Sequence, residues 1–107
     1  FHRTGAFGPW LVTSDEIPDP HKLTLVTRVN GEELQRTTTD LMLFPIENLI
    51  EYLSTLYPLN PGDVISTGTP AGVGSKRNPK KWLVHGDCVE VEISSVGTLS
   101  NPVIDEL

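Results

Sequence analysis

The 107 residues hold a single cysteine, Cys88, so no disulfide forms within the chain, which fits a reducing compartment. No apolar run approaches the roughly 20 residues that a membrane helix needs, and no signal-peptide pattern is visible. The expectation is a cytoplasmic protein with no membrane partner. Positive charge is scarce: 8 Lys and Arg stand against 14 Asp and Glu, a net charge of −6. Basic residues cluster at Lys76-Arg77 and Lys80-Lys81 and nowhere as a stripe, which argues against a nucleic-acid partner. The quartet reads as a solvated, mobile loop or, more sharply, as an anion-attracting lid.

Several chemical signatures are missing as well. There is no Gly-Lys-Ser/Thr after a glycine-rich loop, no Gly-x-Gly-x-x-Gly and no Gly-x-Ser-x-Gly elbow. His2, His21 and His85 lack the short spacings of a zinc site. A Ser–His–Asp arrangement stays open, because geometry rather than spacing defines one. The crowded acids Asp15, Glu16 and Asp19 lack the glycine-punctuated order of a calcium loop and read as a connector. His2 and Arg3 are either exposed or an anion contact. Cys88 reads as structural.

What is present is one domain of ordinary globular composition. At 37 % hydrophobic and 21 % charged residues, the chain is too apolar for disorder. Its centre is Pro61-Gly62-Asp63-Val64-Ile65-Ser66-Thr67-Gly68-Thr69-Pro70-Ala71-Gly72-Val73-Gly74. A turn opens a short apolar run, read as a buried strand, which delivers hydroxyls to a surface loop. Gly68, Gly72 and Gly74 permit positive φ and close approach, and Thr67 and Thr69 each offer a donor and an acceptor. A plain turn between two strands is the alternative.

Around this centre the pattern is mostly β. Residues 11–13 read as a short strand after Trp10, itself a packing residue. Residues 23–29 alternate as a strand. Asn30-Gly31 then signals a type I′ hairpin, and 32–38 return, with Leu25, Val29 and Leu34 pointing inward. Gln35 either pins backbone or reaches a ligand, and the first is preferred. Thr37 to Asp40 offer cap side chains. Pro45 opens the one main helix, over 45–57, with Ile46, Leu49, Ile50, Leu53 and Tyr57 as a stripe that packs on the sheet. If that stripe is buried, Leu49→Ala or Leu53→Ala costs roughly 2–5 kcal/mol. Residues 82–84 form a brief apolar return, 89–93 a half-buried strand, and 98–103 an edge strand ended by Pro102.

The glycine-threonine stretch resembles the fumarylacetoacetate hydrolase family. So do Gly86-Asp87 with Val89-Glu90, Gly8-Pro9-Trp10-Leu11-Val12-Thr13, Asp15-Glu16-Ile17-Pro18-Asp19-Pro20, and Asn30-Gly31-Glu32 followed by Gln35. These pieces fall in the family's order and cover nearly the whole chain. The resemblance implies a mostly β (α+β) fold, a mixed β-roll of the C-terminal type. It makes residues 1–107 the C-terminal portion of a catalytic domain, and a start at Phe1 reads the same way.

In that family a divalent cation (magnesium, manganese or calcium) is held by a Glu-x-Glu pair and a following Asp. A lysine stabilises developing negative charge. No residue here matches those motifs, so no metal ligand and no catalytic residue are assigned to this chain. The resemblance assigns Thr69, with Gly68 beside it, to binding a substrate carboxylate or oxo group. It implies an enzyme of 2-oxo or β-diketo acids working through a metal-held enolate. The reaction is hydrolysis, isomerisation or decarboxylation in catabolism, and the enzyme is a homodimer. The other reading, for the chain by itself, is a non-catalytic β scaffold or binding module.

Overall fold

A computed structural model describes residues 4–106, so His2 and Arg3 lie outside the described residues. Four strands form one antiparallel sheet: β1 (Thr24–Val29), β2 (Glu32–Thr38), β3 (Cys88–Ile93) and β4 (Gly97–Pro102), in the order β2-β1-β3-β4. One α-helix, α1 (Ile46–Ser54), follows β2. The mostly β, one-helix architecture expected from the sequence is the one adopted, with every strand pair antiparallel.

The hairpin forms because Asn30 and Gly31 both take positive φ, 52° and 80°, as a type I′ turn demands. Its tip is tied to the rest of the sheet. Asn30 Nδ2 donates to Asp87 Oδ1 at 2.8 Å, and the Cys88 amide donates to Asn30 Oδ1 at 2.8 Å. Asp87 Oδ2 also accepts from the Val84 amide at 2.9 Å. Those bonds, the Val84 amide first and Asn30 second, hold the Asp87 carboxyl below its ordinary value of 3.8. A depressed folded value stabilises the fold above the unfolded value and is lost as pH falls through the folded one. The chain is therefore expected to lose stability below about pH 4. Asp87→Asn should flatten that limb in denaturant titrations across pH 2–6.

Val26 and Val29 are the buried apolar side chains among the described residues. Val29 lies inward as expected, while Leu25 and Leu34 are half-buried. Val26 sits on the opposite face of β1 and was not foreseen. Its register neighbours are Arg36 and Glu92, and Glu92 pairs with Arg28 at 2.6 Å on the same face. Long charged side chains on the same face cover apolar surface with their stems.

Three expected elements differ. Residues 11–13 form no strand. Leu11 is 75 % exposed, and the chain turns at once through bonds from the Glu16 and Ile17 amides to the Thr13 carbonyl. Val64 and Ile65 also lie outside the sheet, with Val64 67 % exposed, because their loop meets β2 through side chains rather than through a ladder. Helix α1 stops at Ser54, where the Ser54 and Thr55 hydroxyls cap the carbonyls of Glu51 and Tyr52. None of its residues is buried: Ile46, Leu49 and Leu53 are half-buried, and Ile50 and Tyr57 are exposed. Leu53→Ala is thus expected to cost less than the roughly 2 kcal/mol floor of core truncations. A small shift of the urea midpoint checks this.

Candidate functional site

The Thr67-Gly68-Thr69-Pro70 loop is docked on β2, an edge strand whose outer backbone groups need partners. The β1–β2 register passes over Leu34, pairing Thr27 with Gln35 and Arg28 with Glu33. At this irregularity the Arg77 guanidinium donates to the Leu34 carbonyl and, at 2.9 Å, to the Gly72 carbonyl. Gly72 presses on the same point: a Cβ there would stand 2.4 Å from the Leu34 carbonyl oxygen. Gln35 Nε2 reaches the loop too, donating to the carbonyls of Pro70 (3.1 Å) and Ala71 (3.4 Å) and to Thr69 Oγ1 (3.2 Å). Gln35 thus pins backbone, as preferred from the sequence, and touches the candidate ligand group as well.

Gly68 and Gly72 adopt positive φ, 106° and 103°. Gly74 does not, contrary to expectation. It opens a short 3-10 turn, and its need is closeness, since a Cβ there would meet the Lys81 carbonyl oxygen at 2.0 Å. Of the basic quartet, Lys76 and Lys80 are exposed, as a solvated loop requires, while the other two are engaged. Arg77 is spent on carbonyls and Lys81 pairs with Glu32, which holds the Glu32 carboxyl below its ordinary value. Lys80 lies 6.0 Å over the Trp82 ring. Residues 82–84 are exposed and form no strand.

Thr69 stands between two clefts. The first, about 330 Å³, is floored by Leu25 and Thr37 and walled by the apolar turn Leu41-Met42-Leu43-Phe44, by Leu49 of α1 and by residues 67–70. Its polar groups are the hydroxyls of Thr37, Thr38, Thr39, Thr67 and Thr69, and no charged side chain lines it. The second, about 390 Å³, runs along Gln35, Gly72 and Lys81. The structure therefore places Thr69 and Gly68 in the lining of the first cleft and joins Gln35 to Thr69. The remaining candidates go elsewhere. His21 Nε2 donates to Glu47 at 3.1 Å, and Glu47 is held low first by its own backbone amide at the helix start and then by His21. His85 Nδ1 accepts from the Asp105 amide, Cys88 Sγ meets Ser100 Oγ at 3.3 Å, and Asp19 caps a 3-10 turn and pairs with Lys22. Trp10 packs, its ring lying where a Cβ on Gly97 would be 3.0 Å away, yet stays 63 % exposed.

Among the described residues no three His, Cys, Asp or Glu side chains converge as metal ligands would. The polar side chains at the clefts are hydroxyls, the Gln35 amide and the Lys81 ammonium, with no carboxylate among them, whereas a divalent cation of the hard type takes several carboxylate or carbonyl oxygens. The described residues do not fit a resident metal.

Residues 1–104 match the model of the fumarylacetoacetate hydrolase C-terminal domain. The chain belongs to the fumarylacetoacetate hydrolase family. It is 50 % identical over 97 residues to the mitochondrial oxaloacetate tautomerase of Xenopus laevis, covering 91 % of this chain and 30 % of that protein. It superposes on the fumarylacetoacetate hydrolase of Exiguobacterium antarcticum with a TM-score of 0.89 at 43 % identity, covering 94 % of this chain and 36 % of that one. The maleylpyruvate hydrolase of Sphingobium sp. SYK-6, in complex with manganese(II) and pyruvate, gives 0.82 at 35 % identity, covering 91 % and 34 %. The chain spans about a third of the length of the curated relatives it matches. No helix among the described residues is long and apolar enough to cross a membrane.

Proposed function

We propose that these residues are the C-terminal portion of a longer, divalent-metal-dependent hydrolase or isomerase of 2-oxo or β-diketo acids, with the metal ligands on residues outside this chain. The observation that carries the reading is Thr69 lining an uncharged, threonine-rich cleft, beside Gly68 in the left-handed conformation. In it, Thr69 donates to the carboxylate or oxo oxygen at one end of the acid, with Gly68 as the backbone element beside it. Holding that end orients the reacting carbons, and orientation is a large part of the rate advantage of a bound substrate. The apolar wall, Leu41 to Phe44, takes the carbon skeleton. The relatives support the substrate class, since oxaloacetate and maleylpyruvate are both 2-oxo acids.

The exposed apolar side chains support the longer protein. Phe7 (76 % exposed) and Leu11 (75 %), which line neither cleft, are left for contact with further polypeptide or with a second copy in a homodimer. A cytoplasmic location belongs to the same reading, with the one cysteine unpaired. The test is Thr69→Val in the full-length enzyme. Turnover of oxaloacetate and acetylpyruvate with manganese should show KM raised roughly tenfold, the worth of a hydrogen bond to a charged group. Thr69→Ser should stay near wild type. Unchanged kinetics in Thr69→Val would remove the assignment.

A further inference from the structure

Gln35 does more than fasten a loop. The carbonyls of Pro70 and Ala71 only accept, so the side-chain nitrogen, not the oxygen, must face them. The two hydrogens of this nitrogen are shared among three oxygens, and in its contact with Thr69 Oγ1 the nitrogen, which has no lone pair to offer, is the donor. A hydroxyl has one hydrogen and two lone pairs. With Gln35 on a lone pair, the Thr69 hydrogen is directed away from the amide and remains available as a donor. Were a carboxylate to stand in place of the amide, the hydroxyl would turn and spend its hydrogen on that carboxylate.

We propose that Gln35 is a positioning residue that fixes the polarity of the Thr69 hydroxyl, presenting it as a donor so that the site selects a ligand oxygen that accepts. This rests on the substrate-binding reading of Thr69 and adds the group that sets its specificity. Gln35 itself touches no substrate in this account.

Gln35→Glu keeps the shape and reverses the polarity. In the full-length enzyme, assayed with oxaloacetate and acetylpyruvate, it should raise KM at pH 8 by about tenfold or more, with a smaller effect on kcat. As pH falls through about 4, the ordinary glutamate range, the glutamate protonates, donates again, and the gap to wild type should narrow. Lys81 lines the second cleft with Gln35 and pairs with Glu32, and Arg77 holds the neighbouring Gly72 and Leu34 carbonyls. Gln35→Met, measured over the same range, accounts for their titration and should show a smaller, pH-independent rise of about fivefold. Both effects should vanish in a Thr69→Val background. A Gln35 effect that persists in Thr69→Val, or a Gln35→Glu penalty that stays constant with pH, overturns the inference while leaving Thr69 in place. A neutral Thr69→Val overturns the underlying reading and the inference with it. If Gln35→Glu does not fold, by thermal melt, the cycle of Gln35→Met with Thr69→Val decides alone.

Discussion

Gly72→Ala is expected to cost about 3 kcal/mol of stability, combining overpacking with a forced positive φ. The new Cβ would stand 2.4 Å from the Leu34 carbonyl oxygen and 3.1 Å from Gln35 Cγ. The nearer atom is backbone in a paired strand, so it cannot swing aside. The chain at Gly72 also has φ of +103°, which an alanine adopts only under strain. Relief requires lifting the loop off β2, and that breaks the Arg77 bridge to Leu34 and the Gln35 contacts. Gly74→Ala should be comparably damaging, with the Lys81 carbonyl 2.0 Å from the added atom. Gly68→Ala is the control. Its φ is +106°, but nothing lies within 4 Å of its Cβ position. It should cost about 1 kcal/mol, the strain term alone. Urea midpoints of the three variants separate collision from conformation.

The second large effect is all or nothing. The 107-residue chain alone should show no turnover of oxaloacetate or acetylpyruvate and no heat of manganese binding. The full-length enzyme should show both. The described residues gather no three acidic, histidine or cysteine ligands, and the threonines of the first cleft are poor ligands for a cation that favours charged oxygens. By itself the chain then acts as the β scaffold that presents Thr69. Turnover, or stoichiometric manganese binding, by the 107 residues would refute the division of labour proposed for the two parts.

Much of the sheet was legible because its signals are local. Asn30-Gly31 fixes the hairpin by φ alone, and the alternation of 89–93 marks a half-buried strand, which the structure half-buries on both faces. The ordered motifs through Thr67-Gly68-Thr69-Pro70 placed the family. Burial was less legible. The stripe on α1 predicts an apolar face, but periodicity does not say what covers it, and here no residue of the helix is buried. Val26 is not legible because its cross-strand neighbours, Arg36 and Glu92, are set by strand order and register rather than by spacing. The Leu34 irregularity and the Arg77 bridge were invisible for the same reason. They depend on a residue 43 positions away in the chain meeting one carbonyl at a sheet edge. Gln35 gave the only early signal of this docking: a polar residue in a short strand, whose partner could not be named from spacing.

The most direct test of the account is a crystal structure of the full-length enzyme with manganese and pyruvate. The account predicts a pyruvate oxygen within hydrogen-bond distance of Thr69 Oγ1, with Gln35 Nε2 still on the same hydroxyl. Pyruvate bound with Thr69 turned away, or seated in a cleft that Thr69 does not border, would contradict it.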